Sequence, residues 1–459
     1  MLSNLSLSVK FGLIALLGCA VLGIAVGSVS VVQSMNSSER AAESRLAAIS
    51  SERASALSGY LDTIEADLLT TAHHNDTVEA VEAFSSAWNE LSQPETTLQR
   101  LYITDNPHPI GEKENLDFAR DGSRYSQLHA EYHPWFREFL RARGYYDIFL
   151  FDMNGNLVYS VFKELDYATN LMTGEYAQSD LGNAFRGARN AAPDAISFFD
   201  FAPYAPSHGA PASFISTPIH NQDGRQVGVL VFQMPIDRLN AVMGNTTGLM
   251  QTGDAYAVGT DGMMRTQPRF AEEGAILNQR IAPATSDALS GEANGVVRGL
   301  GYLDETQLMA FETVTFEGVS WTIIVSQSLN EAFSAARSLA TSIIILAIIV
   351  TAAVGAAAMW AARRVARPIS EIANATEAIS EGALDYKVPH LDARDEVGEL
   401  AKAVEAFRRS LALRAEVEAE REQEAASRNN RQERIEILIN GSPGQCPMPP
   451  TNSPQPLRP

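Results

Sequence analysis

The chain has 459 residues, enough for about three domains. Its formal charge of −20 excludes general nucleic-acid binding, which needs a basic face. The two cysteines, Cys19 in an apolar run and Cys446 in the C-terminal tail, flank a membrane and do not form a disulfide framework; the interior between them must hold by its core.

Phe11 to Val32 is a run of 22 uncharged residues preceded by Lys10. A cleaved signal peptide is one reading, but the run is long for a signal core. Val31-Val32-Gln33 also lacks a small-residue cleavage pattern, so the sequence predicts a retained helix. Beyond it Leu57, Leu61, Ile64 and Leu68 repeat at 4-3-4 spacing, continued upstream by Leu46 and Ile49 with Arg53 interrupting. This stripe suits a long helix packed on its own domain, or a dimer stalk rising from the membrane. The adjacent His73 and His74 diverge on a helix and do not suit a metal. His129 and His133 have a spacing that can place two ligands on one helix face, yet no third ligand is evident. Pro134 follows at once and predicts a helix N-terminus there.

Strands come next. Tyr146 to Asp152 and Leu157 to Phe162 flank Met153-Asn154-Gly155-Asn156, a hairpin with a glycine turn. A helical stretch around Leu181 to Ala188 leads to Ser197–Phe201, Ser213–Ser216 and Gln226–Phe232, the last two joined at Asn221-Gln-Asp-Gly224. The order partly recurs: Asp254–Gly259, a turn at Thr260-Asp261-Gly262, a return strand Met263–Thr266, then Gly295–Arg298, Leu308–Thr313 and Trp321–Ser326. Leu329–Phe333 then feeds helix into the second apolar run without a linker.

That run, Ser338 to Ala362, has 25 uncharged residues. As a helix it is ~37 Å long, enough to cross a ~30 Å hydrocarbon core with some tilt. Arg363, Arg364 and Arg367 lie beyond it against Arg337 before it, which keeps the C-terminal part in the cytoplasm. Arg40 and Arg45, accompanied by Glu39 and Glu43, make the first span less decisive. Two spans place both termini inside a cell membrane and residues 34–337 outside.

After the span, Val365, Ile369, Ile372, Thr376 and Ile379 form one heptad stripe, and Val397, Leu400, Val404, Phe407 and Leu411 another. Two such helices cannot bury their seams alone; a parallel dimer makes a four-helix bundle that does. Pro368 sits near the start of the first helix, where a missing N–H is harmless. Asp395 can cap the second, Glu396 and Glu399 suit its positive end, and the connector from Gly382 carries Leu384 and Val388 as plugs.

These patterns carry two resemblances. Residues 34–335 resemble the double Cache (dCache) sensor of bacterial chemoreceptors: the marks are the two strand-turn-strand openings and the terminal Trp321-to-Phe333 strand and helix. The proline after the membrane arginines and Asp395-Glu-Val-Gly-Glu-Leu400 resemble the HAMP relay, with Pro368, Gly382, Glu396 and Gly398 as its signalling positions. Together they resemble a methyl-accepting chemotaxis protein. The implied fold is an α+β double PAS-like sensor on a long helix, two transmembrane helices and an all-α HAMP dimer. The expected segments are a cytoplasmic N-terminus 1–10, a first span 11–32, a stalk 34–75, a membrane-distal module 76–236 and a membrane-proximal module 237–335. A second span 338–362, HAMP 363–415, a signalling-type helix 416–439 and a disordered tail 440–459 follow.

The resemblance implies a small-molecule ligand in the distal module, with strand aspartates on cationic groups and an arginine on a carboxylate. Asp200, in Phe198-Phe199-Asp200-Phe201, matches the family's strand aspartate; Phe198, Tyr204, Ser207, Ser216 and Gln233 are further candidates. A buried carboxylate needs a partner, which a ligand, the Pro203 turn or an internal arginine could supply. Two departures put general amino-acid recognition in doubt. Lys163 to Ala195 has no tryptophan where the amino-acid-binding branch has Arg-x-Trp-Tyr, and Gln233 stands where the second aspartate is expected. A differently shaped or neutral ligand, or a periplasmic partner protein, stays open.

The charged helix from Arg414 to Leu438 would run, in chemoreceptors, into the methylation hairpin, but here the pattern stops near Ile439. The expectation is therefore an inner-membrane chemosensory receptor truncated before its signalling hairpin, a homodimer that also pairs with other chemoreceptors. A truncated cyclase- or kinase-type receptor and a non-signalling partner in mixed dimers are the alternatives. No cofactor, metal or catalytic constellation is implied.

Overall fold

The computed structural model describes residues 7–289 and 291–439. The predicted disordered tail lies outside them. The chain divides into two compact units, one of residues 30–341 and one of the remaining described residues.

Helix α1 (Leu7–His73) runs through both the first apolar run and the expected stalk without a break. Its apolar stripe turns inward: Leu57, Leu61, Ile64 and Leu68 are at most 1% exposed. They join the core formed with α2 (Asn75–Glu90), α4 (Arg124–Arg143) and one face of the first sheet. Lower down, Ala42 and Leu46 pack on the second sheet through Ala255, Leu308 and Val325. Arg53, which interrupts the stripe, is also buried; its guanidinium donates to Asn245 O at 2.8 Å and pairs with Glu52.

Between α2 and α4 lie α3 (Pro94–Gln99) and a π-helical turn. Pro134 sits inside α4, which starts ten residues earlier at Arg124 behind the N-cap Ser123, whose side chain accepts from Ser126 N. This corrects the expected N-terminus at Pro134. The proline forfeits one backbone bond, but His129, His133, Phe136 and Leu140 all bury on this helix, and that packing outweighs the loss.

The first sheet comprises β1 (Asp147–Phe151), β2 (Leu157–Ser160), β3 (Ser197–Tyr204), β4 (Ala210–His220) and β5 (Gln226–Gln233), in order β2-β1-β5-β4-β3 and antiparallel throughout. The hairpin turn is built by Asp152, whose Oδ1 accepts from Asn154 N and Asn156 N, while Gly155 takes φ +85°. α5 (Asp180–Ala188) crosses the face away from α1.

After α6 (Ile236–Met243) the second sheet holds β6 (Asp254–Gly259), β7 (Asn294–Leu300), β8 (Thr306–Phe316) and β9 (Val319–Ser328), in order β6-β9-β8-β7, with α7 (Pro283–Leu289) beside β7. The expected return strand Met263–Thr266 forms only isolated bridges. Thr266 Oγ1 takes the Ala257 N–H that a ladder partner would have used, and the Arg265 side chain leaves the sheet for the first module. α8 (Leu329–Ala332) follows β9, and only Phe333 separates it from α9 (Ser334–Ser380).

The other unit contains the two apolar helical segments. Both α1 and α9 are long and apolar enough to cross a membrane, with best windows of mean hydropathy 2.3 and 2.5. They approach closely at Gly355, where a Cβ would lie 2.8 Å from Leu16 Cδ1. α9 continues past its apolar run, so Pro368 lies within a 47-residue helix rather than near a helix start. α10 (Glu396–Ile439) begins at Asp395, whose Oδ1 accepts from Gly398 N. Ile372 and Ile379 of α9 meet Ala401 of α10 around Val388, with Leu384, Val397 and Val404 beside them. Gly382 has φ +100°, which a side chain would resist, and a Cβ on Gly398 would overlap Ala393 O.

Replacing Leu61 by alanine is expected to cost about 2–5 kcal/mol, seen as a lower denaturation midpoint of the purified chain. Ser51→Ala, on the exposed side of the same helix, should change stability by less than ~0.5 kcal/mol.

Candidate ligand-binding site

Alternation along the first sheet sorts its side chains into two layers. Ile148, Leu150, Leu230 and Phe232 face α1, whereas Phe149, Phe151, Val229 and Val231 face α5. By the same alternation Asp147, Gln233 and Phe214 share the α5 face, and the register makes them one cross-strand row. The segment between β2 and α5 folds over this row and brings Glu164 and Asp166 with it.

The result is a buried polar cluster. Asp147 Oδ1 accepts from the backbone N–H groups of Ile148, Val161 and Phe162 at 2.7, 2.9 and 3.0 Å. Tyr204, at the end of β3, donates to Asp166 Oδ2 at 2.5 Å and packs edge-on to Phe214 with ring centres 5.0 Å apart. Tyr146 donates to Glu164 Oε1 at 2.8 Å, and Ser207 donates to the other oxygen of Glu164. Tyr146, Phe162 and Glu164 are half-buried at the outer side of the cluster; Asp147, Asp166 and Gln233 lie inside, at 1%, 0% and 2% exposure. Two acceptors there have no partner: Asp166 Oδ1 and Gln233 Oε1.

Burial disfavours charge on these groups. It pushes the Asp166 carboxyl up to about 7, opposed by the Tyr204 hydroxyl and reinforced by Glu164. Burial also holds Asp147 well above the carboxylate range, against the Phe162 N–H, with Asp166 adding repulsion. Burial and then the neighbouring Asp166 raise the Tyr204 hydroxyl far above its ordinary value.

Of the residues expected from sequence, Tyr204, Ser207 and Gln233 enter this cluster. Ser216 is on the same face but fastens α5, donating to Ala184 O at 2.8 Å. Asp200 and Phe198 are placed elsewhere, at the contact between the two modules. Asp200 accepts from Arg265 Nε at 3.0 and 2.9 Å and from Trp321 Nε1 at 2.8 Å. Arg265 is buried, and its Nη2 also pairs with Asp200 and Asp261 at 2.9 and 3.1 Å. Phe198 packs its ring 5.3 Å from Phe316 and 6.0 Å from Trp321. The internal arginine, weighed from sequence as one partner for Asp200, is the one it has. A bulge between Phe199 and Ala202 displaces this part of β3 from regular pairing, so simple alternation misplaces its side chains.

Asp147, Tyr146, Glu164 and Asp166 were not foreseen. One signal existed: each module's first strand opens on a buried aspartate. Asp254 opens β6, accepts from Ala255 N and Arg269 N, and receives the Tyr302 hydroxyl. The paired histidines bury against α1's side of the sheet. His133 contacts Tyr159 Oη at 2.7 Å and Glu114 O at 2.6 Å, His129 contacts Asp117 O at 2.7 Å, and burial holds both rings well below their ordinary pKa. In the HAMP-like segment Pro368 and Gly382 stand as described above, Glu396 is exposed in the first turn of α10, and Gly398 is buried against Ala393.

Removing one partner of a buried pair leaves a charge uncompensated. Asp200→Ala should therefore destabilise the chain by about 3 kcal/mol and Asp200→Asn by less, since the amide oxygen still accepts from Trp321. A denaturation double-mutant cycle with Trp321→Phe should show coupling of about 0.5–3 kcal/mol; additivity would remove Trp321 from the contact.

Residues 34–336 match the Cache domain family, in its double Cache form, and residues 360–412 match the HAMP domain. A probable chemoreceptor, y4sI of Sinorhizobium fredii (strain NBRC 101917 / NGR234), is 24% identical over 306 residues, covering 66% of this chain and 38% of the relative. The chain thus spans well under half the length of that relative. Among solved structures, the periplasmic sensory domain of the Campylobacter jejuni chemoreceptor Tlp1 is 12% identical with a TM-score of 0.39, covering 64% of this chain and 97% of that one. The ligand-binding domain of the Pseudomonas aeruginosa PAO1 amino acid chemoreceptor PctC, in complex with GABA, is 16% identical with a TM-score of 0.36, covering 62% and 100%. With the Cache match spanning residues 34–336 and the HAMP match following it, the chain belongs to the double Cache family of sensor domains and carries a HAMP domain behind its second membrane-capable helix.

Proposed function

We propose that this chain is a two-pass receptor of the bacterial inner membrane. Its membrane-distal module binds a small molecule outside, and its HAMP domain relays the change inside as part of a homodimer. The observation that carries this reading is the order of parts. A double Cache sensor stands between two membrane-capable helices, and HAMP follows the second at once.

The inter-module contact supports a route for the signal. The end of β3 carries both Tyr204, in the polar cluster, and Asp200, on Arg265 and Trp321. Trp321 lies on β9, and β9 leads through α8 into α9. A ligand that draws on Tyr204 shifts β3, and β3 holds the strand that feeds the second span. Tyr204, Ser207 and Gln233, with Asp147, Glu164 and Asp166, are proposed as the ligand site; Asp200 and Phe198 are proposed as its coupling to the second module.

Homodimer formation fits the apolar residues left open in the HAMP segment. Val365, Ile369, Leu400 and Phe407 are 56%, 37%, 44% and 46% exposed, and all belong to the heptad stripes that a second copy covers.

Cross-linking tests the relay. With Cys19 and Cys446 changed to serine, Ile369→Cys in native membranes should give a disulfide-linked dimer under mild oxidation. Its rate should change when a ligand found by thermal shift is added. No cross-link at Ile369→Cys or at Val365→Cys would defeat the dimer, and a rate unmoved by ligand would defeat the relay.

A further inference from the structure

We infer that the first module has a second binding site, on its α1 face and apart from the cluster beneath α5: a cleft that takes a small oxyanion, a phosphate or a carboxylate, on the Arg238 guanidinium and the Tyr60 hydroxyl.

The cleft has a volume of about 200 Å³ and lies where α1, the end of α4 and the start of α6 meet. Tyr60, Thr63, Asp67, Arg143, Tyr145 and Arg238 line it. Sites for drug-sized ligands run to about 300–1,000 Å³, so an occupant here is small.

The local sequence builds this cleft. α4 ends on Gly144, which takes φ +81° and donates its N–H to Leu140 O at 2.6 Å. Arg238 of α6 lays its stem across that glycine: a Cβ there would lie 2.8 Å from Arg238 Nε and 3.1 Å from its Cγ. The stem is held against the end of α4, with the guanidinium in the lining of the cleft.

Hydrogen bonding divides the lining into used and unused groups. Asp67 is used on both oxygens: Arg143 Nη2 pairs with Oδ1 at 2.9 Å, and the Tyr145 hydroxyl donates to Oδ2 at 2.9 Å. Thr63 donates to Gly59 O at 2.8 Å. Two donors are left over. Among the described residues no carboxylate lies within ion-pair distance of Arg238. Neither its guanidinium nor the Tyr60 hydroxyl has a hydrogen-bond partner among them.

Charge selects the occupant. The lining carries two guanidiniums against one carboxylate, which leaves one positive charge unmatched. Burial pushes the Tyr60 hydroxyl up to about 12, against Arg238, with Asp67 reinforcing and Arg143 opposing. It therefore stays a donor at neutral pH, within the field of all three charges. A guanidinium offers a planar fork that fits two oxygens of a phosphate or carboxylate, and the hydroxyl adds a further bond. A cation would meet two arginines here, and a neutral molecule would leave the charge unmatched.

The cleft stands at the joint between the modules. α6 buries Leu239 and Met243 in the first core, and Asn240 Oδ1 accepts from Gln267 N of the second module at 2.8 Å. An oxyanion that bridges Arg238 to Tyr60 fastens α6 to α1 and so steadies the joint.

The full chain in nanodiscs of zwitterionic lipid would be titrated calorimetrically, at low chloride, with phosphate, sulfate, acetate and succinate. Phosphate and sulfate set against acetate and succinate separate the two classes of oxyanion. The expected result is saturable binding, at one site per chain, of at least one of the four. Arg238→Gln should weaken it by about tenfold or more, the worth of one hydrogen bond to a charged group. Tyr60→Phe, which removes only the hydroxyl, should weaken it too. Arg225→Gln, at another exposed arginine of the same module, which faces Glu82, should leave it unchanged, and so should Asp166→Asn on the other face. Binding should also slow hydrogen exchange of the amides of residues 236–243, which form α6. No binding of any of the four anions would overturn the site. So would binding that survives both Arg238→Gln and Tyr60→Phe, that falls equally in Arg225→Gln or Asp166→Asn, or that leaves exchange in α6 unmoved. None of these results touches the reading of the chain as a receptor, which rests on the order of its parts.

Discussion

One helix surface carries both sensor modules. The inward stripe of α1 closes the core of the first sheet through Leu57, Leu61, Ile64 and Leu68, and the second sheet through Ala42 and Leu46. Each sheet has a face that it cannot bury alone, and α1 supplies the cover for both. The two modules therefore share a backbone element that neither could lose. Their opposite faces are left to local devices: α5 over the first sheet, α7 and the loops near Tyr302 over the second.

The helical and strand periods in the sequence were enough to find this plan. The 4-3-4 stripe, the glycine turns at Gly155, Gly224 and Gly262, and the apolar plugs Leu384 and Val388 each announce a local geometry that the chain adopts. The failures share one cause, which is that tertiary partners are invisible along the chain. Pro134 stays within α4 because the helix buries a whole face. Met263–Thr266 meets β6 only in an isolated bridge rather than a strand: Thr266 Oγ1 takes the Ala257 N–H, and the Arg265 side chain is held by Asp200 of the first module. Asp200 lay between two readings in sequence because its arginine is 65 residues away.

The candidate site was half legible for a related reason. Tyr204, Ser207 and Gln233 stand on strand ends and turns, where polar residues are conspicuous. Glu164 and Asp166 come from an irregular segment with no periodicity to read, and Asp147 hides as the first residue of an apolar strand. Its counterpart Asp254 shows that this placement is part of the module's construction: an aspartate at the start of the first strand gathers the N–H groups of neighbouring segments. In the first module further carboxylates, Glu164 and Asp166, gather beside that aspartate, and one oxygen of Asp166 is left without a donor.

Arg53 has a mechanical meaning. It lies on α1 between the residues that serve one sheet and those that serve the other, and its side chain is 3% exposed. Its bond to Asn245 O ties the helix to the segment joining the two modules. Sliding α1 along its axis would drag a buried guanidinium away from its acceptors and leave its charge stranded. The bond thus fixes the register of α1 against both sheets at once, whereas α9 follows β9 and α8 after a break at Phe333.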